Sequence, residues 1–139
     1  MAAKPVRMLV LGTGGMARNH VEHLSAIPGV TIVAGVDTRP EQLAKFCDDH
    51  QIAQRFTSLD EAIKWGQFDA ATNVTPDPVH YPTTMALLAA GKHVLCEKPL
   101  ATDQGKAREM ADAAAKAGVI NMVNLTYRNV PALQKAALM

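Results

Sequence analysis

The sequence predicts an α/β fold, a doubly wound parallel sheet with helices on both faces, and three observations predict it. Apolar strand-like runs alternate with amphipathic helix-like ones along the whole chain, the pattern of consecutive βα units. The runs Val6–Gly12 and Val30–Asp37 are nearly continuously apolar, as strands buried on both faces should be. Between them, Gly12-Thr13-Gly14-Gly15-Met16-Ala17 reads as a glycine turn opening a helix. Strand, glycine turn, helix, strand and terminal acid together make a dinucleotide-binding unit of the Rossmann kind.

Each further element follows from its own residues. Ala17, Val21 and Leu24 recur at helical spacing after the turn, and Pro28-Gly29 ends that helix. Pro40 suits a first helical turn, with Leu43, Phe46 and His50 sharing one face of the helix it opens. A short strand over Gln54–Thr57 precedes Ser58-Leu59-Asp60-Glu61, a capping-box pattern that starts the next helix. Asp69–Thr75 is expected as the fourth strand. Its crossover helix, Pro78–Ala90, carries Tyr81, Met85 and Leu88 on one stripe and stops at Gly91. His93–Glu97 is a fifth strand, Thr102 can cap an alanine-rich helix running to Lys116, and Val119–Asn124 is a sixth strand. A last helix is expected over Pro131–Met139. Right-handed crossovers favour the doubly wound strand order.

In such sheets ligands bind beyond the carboxyl ends of the strands. Gly12–Gly15, Asp37, Thr75-Pro76, Glu97-Lys98-Pro99 and Asn124–Arg128 all fall along that edge. Gly12 allows the tight turn, Gly14 lets the backbone approach a pyrophosphate, and Ala17 is small enough for helix–strand packing. The helix opening near Gly15 offers N–H groups and a positive dipole end to phosphates, so Thr13 and Met16 are counted with the glycines as cofactor contacts. Asp37 follows about 20 residues after the motif, where a carboxylate bonds ribose hydroxyls. That carboxylate repels a 2′-phosphate, so NAD is favoured over NADP. Arg39, two residues on, can stack on adenine or pair with a phosphate.

Composition excludes other classes. Of the 139 residues, 48% are hydrophobic and 19% charged, a globular balance with room for one core. A net charge of only +1, with no cationic stripe, argues against nucleic acid or an anionic membrane as a partner. Cys47 and Cys96 stand far apart without C-x-x-C spacing, so idle buried thiols are expected, with no metal site and no disulfide. The first apolar run stops at Gly12, too short for a membrane span or a signal peptide. A soluble, cytoplasmic protein is the expectation.

Two further blocks, Thr75-Pro76-Asp77-Pro78-Val79-His80 and Ala90-Gly91-Lys92-His93-Val94-Leu95-Cys96-Glu97-Lys98-Pro99, resemble the Gfo/Idh/MocA oxidoreductases. The N-terminal domains of that family carry T-P-N/D-x-x-H and A-G-K-H-V-x-x-E-K-P in this order, and the resemblance covers essentially the whole chain. It implies hydride transfer between NAD(P) and a sugar, polyol or related hydroxyl compound. It also implies that Lys98 lies beside nicotinamide and substrate, where a lysine polarises the reacting oxygen, stabilises alkoxide charge or relays a proton. Glu97 would orient that ammonium, and a cis peptide before Pro99 would aim Lys98 into the cleft. Thr75 and Pro76 would shape the pocket wall. His80 is a candidate catalytic and cofactor-contacting group, with a capping or packing histidine as the plainer reading; Arg128 is a weaker cofactor contact. His20, His23, His50 and His93 look like ordinary helix or strand residues.

The family's members usually continue into a second α/β domain that covers the nicotinamide and provides the oligomer interface. Residues 1–128 are therefore read as the cofactor domain and 129–139 as the start of a linker helix toward an absent substrate domain. The whole protein is expected to be a homo-oligomer, and this chain alone to bind cofactor without turnover. The alanine-rich helix over Thr102–Lys116 is expected to expose an apolar face. Two alternatives stay open: an NAD-dependent glycosidase, and a non-catalytic NAD-binding regulator or scaffold.

Overall fold

Strands that are apolar on both faces need helices on both flanks, and the chain supplies them in alternation. The computed structural model describes residues 4–139; residues 1–3 of the expected cofactor domain lie outside the described residues. The strands are β1 (Val6–Leu11), β2 (Val30–Val36), β3 (Gln54–Phe56), β4 (Ala70–Asn73), β5 (His93–Glu97) and β6 (Asn121–Asn124). The helices are α1 (Gly15–Ser25), α2 (Pro40–Asp49), α3 (Leu59–Trp65), α4 (Asp77–Ala89), α5 (Gln104–Ala117) and α6 (Pro131–Ala137), with a 3-10 turn at Thr126–Asn129. The strands pair in parallel in the order β3-β2-β1-β4-β5-β6. Strand order reverses between β1 and β4, which opens a crevice at their carboxyl ends.

Two cores sandwich the sheet. Val10, Ala17, Val21, Leu43, Phe46, Cys47 and Ile52 join the sheet to α1 and α2. Leu9, Leu11, Val36, Ala71, Val94 and Cys96 face Ala62, Leu87, Leu88 and Ala114 of α3, α4 and α5. Burial pushes both thiols up, Cys96 to about 11, so neither is a ready thiolate. Among the described residues no helix is long and apolar enough to cross a membrane, and no group of acids, histidines or cysteines is placed to hold a metal.

Local chemistry differs from expectation at four places. Asp103, not Thr102, caps α5; its Oδ1 accepts from Lys106 N at 2.9 Å. The neighbouring acid wins because a carboxylate is the stronger acceptor at a helix's positive end. Ser58 caps α3 by accepting from Asp60 N, so the hydroxyl serves the second helical N–H rather than that of Glu61. The buried face of α4 is His80, Thr84, Leu87 and Leu88, with Tyr81 turned to the rim, where its hydroxyl bonds Glu109 of α5. Leu88 and Met85 of the expected stripe do pack on the core; His80 and Thr84 join the buried face because both find partners inside. Finally, α5 buries Met110 and Ala114 against the core. Its outer side leaves Ala111, Ala115 and Ala117 exposed, and larger exposed apolar side chains stand elsewhere, Ile120 and Met122 around β6 among them.

Candidate functional site

The glycine turn sits at the reversal of strand order. Gly12 N bonds Val36 O at 2.8 Å and Val74 N bonds Leu11 O at 2.9 Å, which ties the ends of β1, β2 and β4 together. Gly12 has φ +90°, and a Cβ there would stand 3.0 Å from Val74 O and 3.2 Å from Thr75 N. Only glycine satisfies both the positive φ and the close approach. Gly14 is different. It is the N-cap of α1 in an ordinary extended conformation, and a Cβ on it or on Gly15 would meet nothing within 4 Å. No side chain caps α1 and no acid lies in its first turn; Ala17 N bonds back to Gly14 O at 3.0 Å, and Gly14, Gly15 and Met16 at the helix opening line open space. A pyrophosphate fits that space and that dipole.

The space belongs to a cleft of about 580 Å³. Gly12, Gly14, Gly15, Met16, Asp37 and Arg39 form one side, and Thr75 and Pro76 the other. Thr13 is buried behind it; its N and Oγ1 both donate to Asp37 Oδ2, at 2.9 and 2.7 Å. Gln42 Nε2 braces the same loop through Thr13 O at 2.8 Å. Arg39 donates to Asp37 Oδ1 from N and Nε, each at 3.0 Å, and to Oδ2 from Nη2 at 3.1 Å. Burial opposes ionisation of Asp37, but the hydrogen bonds from Arg39 and Thr13 outweigh it and hold the carboxyl at about 2. Opposite, Asn73 shapes the Thr75-Pro76 turn: its Oδ1 accepts from Thr75 Oγ1 at 2.7 Å, while its Nδ2 donates to Thr83 and Thr84.

The second part of the site is the end of β5. Lys98 is exposed there, and the Lys98–Pro99 peptide is cis. Glu97 does not orient the ammonium as expected. Its carboxylate turns inward, where Oε1 accepts from Asn124 Nδ2 at 2.6 Å and meets His20 Nε2 at 2.8 Å, and Oε2 accepts from Lys98 N. Burial raises the cost of charging Glu97, but Asn124, His20 and the Lys98 amide overcome it and hold the group below the usual carboxylate range.

His20 is therefore no ordinary helix residue. It is buried, with Nδ1 2.7 Å from Thr72 Oγ1. A ring protonated on Nε2 donates to Glu97 and accepts from the Thr72 hydroxyl, so every polar atom is served. The network ties α1, which carries the phosphate-facing turn, to β4, β5 and β6. Its sequence signal was present: His20 falls on the buried stripe of Ala17, Val21 and Leu24. Thr72 and Asn124 carried no such signal, because their partners are distant in sequence.

His80 is 1% exposed, with Nδ1 2.7 Å from Pro99 O and Nε2 2.7 Å from Thr75 O. Carbonyl oxygens only accept, so a neutral ring donates to one of them and only a doubly protonated ring to both; in either form both nitrogens face backbone oxygens. Against the expectation of a catalytic group, the ring bridges the Thr75-Pro76 turn to the Lys98-Pro99 turn. Arg128 is exposed in the 3-10 turn and does not line the cleft, because the chain has already left the sheet at Asn124.

Residues 6–125 match the family model of the Gfo/Idh/MocA oxidoreductases, described as an oxidoreductase family with an NAD-binding Rossmann fold. The chain is 36% identical over 123 residues to 1,5-anhydro-D-fructose reductase of Ensifer adhaerens, covering 88% of this chain and 37% of the relative. It is 30% identical over 117 residues to the scyllo-inositol 2-dehydrogenase (NADP(+)) of Bacillus subtilis, covering 84% of this chain and 36% of the relative. The WlbA dehydrogenase of Bordetella pertussis, solved with NADH and UDP-GlcNAcA, superposes with a TM-score of 0.89 at 29% identity, covering 94% of this chain and 40% of that one. The chain thus spans about two fifths of the length of these relatives. It belongs to the Gfo/Idh/MocA oxidoreductase family, as that family's NAD-binding Rossmann domain.

Proposed function

We propose that this domain holds NAD along the carboxyl edge of its sheet for hydride transfer to or from a hydroxyl-bearing carbon of a sugar, polyol or related compound. One observation carries the reading: Gly12–Gly15, Asp37 and Thr75-Pro76 stand where strand order reverses, and Lys98 follows the carboxyl end of β5 on the same edge of the sheet. Bound NAD supplies the hydride acceptor. The opening N–H groups of α1 neutralise pyrophosphate charge, Asp37 accepts from ribose hydroxyls, and Thr75 and Pro76 wall the cleft. Lys98, with no salt-bridge partner among the described residues, is positioned to stabilise negative charge on the reacting oxygen as its proton leaves. Glu97 acts one step back, holding the Lys98 amide.

Support for the substrate class comes from the relatives, which are named for sugar and inositol substrates. Their greater length supports reading 1–128 as the cofactor domain and 129–139 as the start of a connection to a substrate domain. A homo-oligomer in the cytoplasm is the setting we propose for the whole protein. The test is a calorimetric titration of this chain with NAD and, separately, NADP. Binding of NAD with weaker binding of NADP supports the assignment; binding of neither refutes it. In the whole protein, Lys98→Met is expected to lower kcat by about 100-fold or more with NAD affinity nearly unchanged. An unaltered rate would instead favour a sensor.

A further inference from the structure

Asp37 carries more donors than a carboxylate ordinarily accommodates. Its two oxygens offer about four lone-pair directions, yet five donors converge on them. Three are fixed by the fold: Thr13 N, Thr13 Oγ1 and Arg39 N. The other two come from the Arg39 guanidinium, whose side chain is 63% exposed while that of Asp37 is 5% exposed. The guanidinium places one donor on each oxygen, Nε on Oδ1 and Nη2 on Oδ2. A vicinal diol presents the same pattern, two O–H donors side by side.

We propose that the Arg39 fork is a displaceable latch, closed on Asp37 in the free protein and exchanged, donor for donor, for the two ribose hydroxyls of the adenosine half of the cofactor. This rests on the cleft being the NAD site. After the exchange Asp37 keeps its three fixed donors and gains the diol, so its count is unchanged. A ribose phosphorylated at the 2′ position brings one hydroxyl donor instead of two and a repelling charge. It cannot replace the fork donor for donor, so the Asp37 carboxylate disfavours it, whereas the released Arg39 guanidinium attracts its phosphate. The latch also sets affinity, because each binding event must first break the closed ion pair.

Calorimetric titration of wild type, Arg39→Lys and Arg39→Ala with NAD, ADP-ribose and 2′-deoxy-ADP-ribose tests this. Removing a solvent-exposed ion pair as competitor should tighten NAD and ADP-ribose binding to Arg39→Ala by roughly two- to five-fold. Arg39→Lys, which keeps the charge without the fork, should fall between. The 2′-deoxy probe, with one hydroxyl, should gain clearly less. Unchanged or weaker NAD binding by Arg39→Ala overturns the latch, as does an equal gain for both ADP-ribose probes. Failure of every protein to bind NAD overturns the cleft assignment itself, and the latch with it.

Discussion

Two glycines two residues apart should respond differently to the same methyl group. Gly14→Ala adds a Cβ where nothing lies within 4 Å, at an N-cap whose φ of −74° any residue adopts. Reduced freedom of the unfolded chain contributes roughly 0.4–1 kcal/mol of stability. Alanine is a poorer N-cap than glycine by a comparable amount, about 0.5–1 kcal/mol. The two cancel, and the fold should keep its stability to within about 0.5 kcal/mol. The new methyl nevertheless occupies the approach to the opening N–H groups of α1, so NAD affinity should fall by at least about tenfold, the equivalent of 1.4 kcal/mol. Gly12→Ala should do the reverse. Its Cβ meets Val74 O at 3.0 Å and the backbone must keep φ +90°, at a cost of roughly 2–4 kcal/mol from left-handed strain and overpacking. At about 3 °C per kcal/mol for a chain of this length, the melting temperature should drop by about 10 °C. Thermal melts of both variants, followed by calorimetric titration of Gly14→Ala, make the comparison. Wild-type NAD affinity in Gly14→Ala would refute the placement of the phosphates at this turn.

Two further outcomes follow from the buried polar groups. His20→Ala leaves Glu97 and Thr72 each a partner short in a buried site, so urea denaturation should show a loss of roughly 2–3 kcal/mol; a loss below about 0.5 kcal/mol would mean that the network is not formed in solution. Asp37 is held at about 2, below its ordinary 3.8. A depressed carboxyl contributes stability above its unfolded value that is lost as pH falls toward the folded one. Asp37→Asn should therefore flatten the fall in stability between about pH 4 and about pH 2, read from urea midpoints; an unchanged slope would place the acid transition on other carboxyls, such as Asp69 beside Arg7.

Much of this domain is written in short-range terms. Glycine at 12 and 14, the apolar runs of β1 and β2, Pro40 at a helix start and Gly91 at a helix stop are local constraints, each satisfied by a few residues. They determined the alternation of strands and helices, the parallel sheet, the placement of the glycine turn and of Asp37, and with them the dinucleotide-binding fold. Helix faces were less legible: Tyr81 reads as apolar by its ring, but its hydroxyl draws it to the rim and Glu109. Tertiary structure alone decided the polar partners. That His20 meets Glu97, 77 residues on, and that His80 joins the Pro99 turn to the Thr75 turn depend on which strands lie side by side, whereas the Arg39–Asp37 pair is a contact between near neighbours in sequence. A side chain's period in sequence reports which face it occupies; what stands across that face is set by chain segments far away, and the chemistry of a buried polar group is the chemistry of its partner.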